Sequence, residues 1–315
     1  MHRSTLYIRN AGFGDMLQQI NIFFHLSDVF SFSPRVFLSR PQRRNSLNGY
    51  TFFDDIGYTS LFDPKPEKSR ERADSLAQIS TTVEPAYRFD ARCYNNPKLE
   101  EVLAEREEQI HPRLRGLASQ SRMYSEVSKR KIAQNHIVLH VRRGDVAQVL
   151  ADDFPGVFDP LTVAGKIIHC NGVFDEDGLK KALPLGNRRR FATTRSYLDA
   201  LNMVKKREGV ESHILVSDGF AKMSRVLVSK NPDFLVDRSV SADALEKELE
   251  EDLRPLMCGA RKCIIGENNA SFYETVFAAL SSKIIISQSA GFLRELSLLF
   301  DLDIEIVCPE LLPTG

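Results

Sequence analysis

Tryptophan is absent from the 315 residues, and cysteine is sparse. The five cysteines, Cys93, Cys170, Cys258, Cys263 and Cys308, are odd in number and widely scattered. The nearest pair, Cys258 and Cys263, has four residues between its members and no histidine pattern beside it. That spacing suits neither a disulfide framework nor a zinc site. Net charge is also lacking: 42 Lys and Arg balance 42 Asp and Glu. This excludes nucleic-acid binding driven by bulk charge, while leaving room for a local basic pocket that holds a small anion. No apolar run reaches the roughly 18–20 residues of a membrane span. The opening MHRSTLYIRNAGFGD has no long apolar core of the signal-peptide kind. A reduced, soluble, cytoplasmic protein without a transmembrane segment is expected. Internal repeats and low-complexity tracts are missing too.

What is present is ordinary globular composition, 43% hydrophobic and 27% charged, in a chain long enough for two domains. A short apolar strand, Leu6-Tyr7-Ile8, runs into a turn at Gly12 and Gly14. A helix follows from about Asp15, with Met16, Leu17, Ile20, Phe23 and Phe24 on one face. Val36-Phe37-Leu38 reads as a second strand, 64–72 as a surface loop, and Lys98 to Ser119 as a charged helix. The second half begins at His136–Val141, an apolar run expected to be a buried strand. A long irregular stretch covers Val146 to Arg190. Helix and strand then alternate: helices over 194–206, 219–230, 241–253, 271–280 and 291–300, and strands over 213–216, 234–236, 263–265, 284–286 and 304–307. Alternation with apolar strands predicts an α/β fold whose parallel sheet is covered on both faces.

Ligands of such sheets bind beyond the carboxyl ends of the strands, so chemistry is sought just after each one. The first strand of the second half ends in His140-Val141-Arg142-Arg143-Gly144-Asp145. Two adjacent arginines there are costly unless they have partners, and the guanidinium fork suits phosphate. Strand alternation puts His140 and Arg142 on one face and Arg143 on the other. A plain Arg–Asp surface cluster is the competing reading. Asp218, in Ser217-Asp218-Gly219, suits either a nucleoside contact or a helix N-cap. Ser271 and Glu274 have the spacing of a capping box, which predicts a helix start at Ser271. The free N–H groups of that helix start suit a diphosphate, although a Glu274 folded back onto them would repel it. Gly12-Phe13-Gly14 falls short of a dinucleotide fingerprint. Ser287 to Gly291 offers a further helix start for an anion, or a plain strand–helix connection. Arg188-Arg189-Arg190 reads as a solvated loop. Aromatic residues form no stacking array for RNA.

Together these segments resemble the fucosyltransferase superfamily. His140 to Asp145 matches its H-x-R-R-x-D motif. Ala11 to Gln19 resembles the G-G-x-G-N-Q-x-x-Q opening of the α-1,2-fucosyltransferases (glycosyltransferase family 11). Val216-Ser217-Asp218 resembles their F-S-D-D stretch, and Met257-Cys258 with Lys262 to Leu280 resembles their C-K-x-I-I-x-x-N-S-x-F-S-W-W-A-A-W-L stretch. The chain departs from the pattern at Ala11, at Asp15 and Met16 in place of Asn-Gln, and at Gly219 in place of the second Asp. Tyr273, Glu274 and Thr275 stand where the family has Ser and tryptophans, so the resemblance is to a divergent member.

The resemblance implies a GT-B fold of two Rossmann-like domains facing a cleft. The acceptor-side domain would span 1–133 and the nucleotide-sugar domain 134–315. It implies an inverting transfer of L-fucose from GDP-β-L-fucose to a glycan or glycolipid hydroxyl, through an α-1,2 linkage, with no metal and no cofactor beyond the donor substrate. Arg142 would hold the β-phosphate, with Arg143 and Asp145 bracing it. His140 would lie by the nucleoside and Asp218 by guanine or ribose. Asn269, Ala270, Ser271 and Phe272 would form the phosphate-side turn. Gly12, Gly14 and Asp15 would lie at the substrate. Asp152 and Asp153 are candidates for the general base, and activation of the acceptor by placement alone is the other possibility. Transfer of another sugar from a GDP donor is the runner-up, and a catalytically silent nucleotide-sugar-binding protein is the reading from a different class.

Overall fold

The computed structural model describes residues 3–8, 13–29, 31–38, 49–62, 109–131, 136–143, 192, 194–219, 247, 250–266, 269–288 and 290–309. The chain divides into two compact units, Met1–Lys129 with Gly291–Asp303, and Arg130–Ala290 with Ile304–Gly315. The boundary expected after residue 133 falls among 132–135, outside the described residues. Residues 291–303 belong to the first unit, although they come late in the chain.

The first unit opens with a βαβ element. Strand β1 (Arg3–Ile8) pairs in parallel with β2 (Ser33–Leu38), Leu6 opposite Val36, across helix α1 (Phe13–Val29). The apolar spacing read from the sequence is the buried face of α1: Met16, Leu17, Ile20, Phe23 and Phe24 are all buried. Each such side chain contributes about 1.5–3 kcal/mol. Asn21 and His25 are buried as well. Asn21 donates from Nδ2 to the Gln109 carbonyl at 2.9 Å and accepts the His111 N–H at 2.8 Å. Helix α2 (Gly49–Asp55) is followed by a 3-10 turn, Thr59–Leu61.

Two expectations fail here. The turn expected at Gly14 is helix, because α1 begins at Phe13. The single helix expected over Lys98 to Ser119 is not continuous: 109–111 are non-helical and α3 starts afresh at Pro112–Ser119, followed by α4 (Arg122–Lys131). His111 is the N-cap, accepting the Arg113 N–H on Nδ1 at 3.2 Å, with Pro112 at the first helical position. Proline lacks the N–H that a helix interior needs, so it marks a start.

The second unit holds a five-stranded parallel sheet in the order β5-β4-β3-β6-β7. Its strands are β3 (Ile137–Val141), β4 (His213–Ser217), β5 (Ala260–Ile265), β6 (Ile284–Ser287) and β7 (Glu305–Val307). Helix α5 (Thr194–Glu208) packs on β6, and α7 (Asn269–Leu280) packs on β4 and β5. A short α6 (Arg254–Met257) precedes β5. Helix α8 (Gly291–Leu299) follows β6 and is part of the first unit. Val138, Leu139, Val216, Ile285 and Ile286 are fully enclosed, which is why those strands read as unbroken apolar runs. The end of the helix expected over 241–253 is instead a 3-10 turn, Glu251–Leu253, and the expected elements over 220–246 lie outside the described residues. So does the loop over 146–190.

In this order β3 is central: the chain builds β4 and β5 to one side of it, then returns to lay β6 and β7 on the other. The strand order thus reverses between β3 and β6, which is where open α/β sheets place a ligand crevice at the carboxyl ends.

Candidate functional site

Three strand ends meet at that reversal. Strand β3 closes with His140 and Val141 and is followed by Arg142 and Arg143, β4 closes with Ser217 and is followed by Asp218, and β6 closes with Ser287 and is followed by Gln288. Exposure alternates along β3: His140 and Arg142 are half-buried, and Val141 and Arg143 are buried. The two-residue repeat of a strand therefore sorts the two arginines as the sequence predicted.

His140 is hydrogen-bonded through Nδ1 to Ser287 Oγ at 2.9 Å, across the β3–β6 junction. Its pKa is lowered to about 4, chiefly by desolvation and further by the Arg142 cation, against an opposing pull from Asp218. At neutral pH the ring is uncharged. Its Nδ1 and the Ser287 hydroxyl share one proton between them as donor and acceptor.

Arg143 is 1% exposed, a cation taken out of water. Such a group needs dense compensation. Its Nη1 donates to the Ala192 carbonyl at 2.9 Å, its Nη2 donates to Thr194 Oγ1 at 3.1 Å, and its guanidinium lies 5.7 Å from the Tyr197 ring centroid. These three partners belong to the start of α5 or to Ala192, two residues before it. Arg143 therefore anchors that helix to the end of β3. Burial pushes the Tyr197 phenol up to about 12, with the Arg143 cation pulling the other way. The phenol oxygen accepts the Gln288 N–H at 3.2 Å, and Gln288 Oε1 accepts from Cys308 Sγ at 3.2 Å.

The backbone N–H of Arg143 donates to Asp218 Oδ1 at 2.6 Å, so the carboxylate spans β3 and β4. Ser217 Oγ accepts the Gly219 N–H at 3.1 Å. Gly219 sits at φ +71. Its left-handed backbone explains glycine where the resemblance led to a second Asp.

The helix start expected at Ser271 is corrected: α7 begins at Asn269, which puts Ser271 in its first turn. The capping box does not form as predicted. Glu274 Oε2 instead accepts from Lys262 Nζ of β5 at 2.9 Å. An ion pair with the neighbouring strand outcompetes the local fold-back. Glu274 is therefore held toward β5. Ala270, Ser271 and Phe272 occupy the first turn of α7.

Gly14 lies in the first turn of α1, against α8. A Cβ there would come within 3.0 Å of Phe292 N and Cα. Its lack of a side chain permits close helix packing, a reason the sequence reading did not contain. Asp15 is in the same helix. Gly12, Asp145, Asp152 and Asp153 lie outside the described residues.

The structure thus brings together His140, Arg142, Arg143 and Asp218 of the expected set and adds Ser287, Tyr197 and Thr194. Ser287 had a signal, since it follows an apolar strand. Tyr197 and Thr194 had none, because their role depends on α5 folding back onto β3. Among the described residues no group of three or more His, Cys, Asp or Glu could hold a metal ion, and no helix is long and apolar enough to cross a membrane. Comparisons with protein families, with curated proteins and with solved structures gave no match.

Proposed function

We propose that the chain is a glycosyltransferase of the fucosyltransferase superfamily, with a GT-B arrangement, that moves L-fucose from GDP-β-L-fucose to a glycan hydroxyl with inversion and without a metal. The observation that carries this reading is the place of His140 and Arg142: at the end of the central strand of a parallel sheet and just beyond it, beside the strand where the order reverses. Nucleotides bind such crevices.

In this reading Arg142 faces the β-phosphate, where negative charge grows as GDP departs. The acceptor oxygen bonds to the anomeric carbon while the bond from that carbon to the phosphate oxygen breaks. The electron pair leaves with GDP, and the acceptor proton passes to a base, for which Asp152 and Asp153 are the candidates. A neutral His140 lies beside the nucleoside without adding charge. Asp218 keeps one oxygen on Arg143 and offers the carboxylate to guanine or ribose. The first turn of α7, Asn269 to Phe272, presents its N–H groups to the diphosphate. With Glu274 drawn to Lys262, the repulsion feared from a capping box is relieved.

Thermal shift with GDP, UDP and ADP tests the nucleotide, followed by transfer assays with GDP-fucose and GDP-mannose. GDP should raise the melting temperature most, by the equivalent of about 2.7 kcal/mol at 100 times its Kd. Equal shifts with all three nucleotides would remove the guanine-selective reading. Turnover should persist in EDTA, and activity that disappears with chelator and returns with Mg²⁺ would reject the metal-free mechanism.

A further inference from the structure

The second unit contains a cavity of about 520 Å³ between α7 and the β4–β5 face. This is within the range of small-molecule sites. Ala270, Tyr273, Phe277 and Ser281 line it from α7 and the residue just after it, at helical spacing, and Ile214 and Ile264 line it from the sheet. Its walls are therefore mostly apolar and aromatic. Its charges are not balanced: Arg130, Arg261 and Lys262 stand against Glu274 alone, and Glu274 is taken by Lys262. Arg130 stacks over the Phe277 ring at 4.5 Å, and neither Arg130 nor Arg261 has a carboxylate partner among the described residues. Ser281 borders the cavity at the end of α7 and is itself buried.

Arg261 and Ile214 lie in the amino-terminal halves of their strands, at the opposite end of the sheet from Arg142 and Asp218. Ile264, near the carboxyl end of β5, and Ala270, in the first turn of α7, extend the lining toward the carboxyl ends. We propose that this cavity binds a small amphipathic anion, an aryl or alkyl phosphate, sulfate or carboxylate. Its flat or apolar body would lie between Tyr273, Phe277 and the two isoleucines, and its anionic group would accept from Arg130 and Arg261. This site borders the proposed phosphate turn at Ala270 but sets Arg261 at the opposite end of the sheet from Arg142 and Asp218, and it does not depend on the glycosyltransferase reading.

Phenyl phosphate is the probe, titrated into the full chain with ¹³C-labelled isoleucine methyls. The Ile214 and Ile264 methyl signals should shift saturably. Inorganic phosphate and phenol, each supplying half of the recognition, should bind at least about tenfold more weakly. Arg261→Ala should raise Kd about tenfold, the scale of a lost charge-assisted hydrogen bond. Arg130→Ala should raise Kd several-fold as well, since it removes the second cation and its contact with Phe277. The shifts should persist with saturating GDP. Unmoved methyls at millimolar phenyl phosphate would overturn the proposal. So would unchanged affinity in both variants, displacement by GDP, or equal binding of phenol or bare phosphate.

Discussion

Asp218 accepts the backbone N–H of Arg143 at 2.6 Å, and this bond ties the ends of β3 and β4. It fixes the strand end that carries Arg142, so a residue chosen from the sequence for a nucleoside contact also has a positioning role. Asp218→Ala should lower stability by about 1–3 kcal/mol, since it strands a partly buried amide. Asp218→Asn should recover most of that loss, because its amide oxygen still accepts. Urea midpoints of the three proteins give the comparison, and an Asn variant as unstable as Ala would show that charge rather than the hydrogen bond matters.

Gly14 gives a second stability test. Phe292 N and Cα stand 3.0 Å from the point a Cβ would take, and backbone atoms cannot swing aside as a flexible side chain does. Gly14→Ala should destabilise by about 1–3 kcal/mol through overpacking, offset in part by up to about 1 kcal/mol of helix propensity. Nucleotide affinity should be little changed. A variant of full stability that no longer binds GDP would put Gly14 in the ligand site rather than in the α1–α8 packing.

Much of the sheet was legible because its central strands are enclosed on both faces. Runs such as Ile137-Val138-Leu139 and Ile284-Ile285-Ile286 leave little choice of structure. The start of β5 was hidden for the converse reason: Arg261 and Lys262 are exposed within it, so its apolar signature covers only its last residues. The start of α7 was misread because Ser271 and Glu274 have the right spacing for a cap, and only the fold brings Lys262 within reach of Glu274. Likewise His140 and Arg142 could be picked out as chemistry at a strand end. The His140–Ser287 pair and the seat of Arg143 on Tyr197 could not, since each joins segments far apart in sequence.

Three histidines should make the protein sensitive to acid. His136, His140 and His213 all have lowered pKa values, with desolvation the largest cause in each. His136 and His213 donate from Nε2 to the carbonyls of Ala278 and Leu256, at 3.1 and 2.8 Å. Since a carbonyl only accepts, Nε2 carries the proton in both rings. A base with a folded pKa below its unfolded value of about 6.5 binds fewer protons when folded. Its stabilising contribution is full above about pH 6.5 and is lost as the pH falls toward the folded value, about 4 for His140. The melting temperature should therefore drop between pH 6.5 and 4. Ring signals followed by NMR should show no titration of His140 near 6.5, and a normal titration there would contradict the enclosed, neutral ring.

The last prediction separates the two adjacent arginines. Arg143 is 1% exposed and holds Ala192, Thr194 and the Tyr197 ring. Arg143→Ala leaves a carbonyl and a hydroxyl unmatched in the interior and opens a cavity, so it should destabilise by about 2–5 kcal/mol. Arg143→Lys should recover little, because one ammonium cannot reproduce the fork that reaches the carbonyl and the hydroxyl together. Arg142 is half-buried, and its cation is felt by His140 and Tyr197. Arg142→Ala should leave the melting temperature within a few degrees of wild type and reduce transfer about 10²–10³-fold, the loss typical of a preorganised charge-stabilising donor. Arg142→Lys should restore only part of the rate, since it keeps the charge and loses the fork. Rate and melting temperature measured on the same four variants divide the two roles. A folded Arg142→Ala protein that transfers at nearly the wild-type rate would refute the mechanism proposed for this site, while leaving the anchoring role of Arg143 to stand on its own stability data.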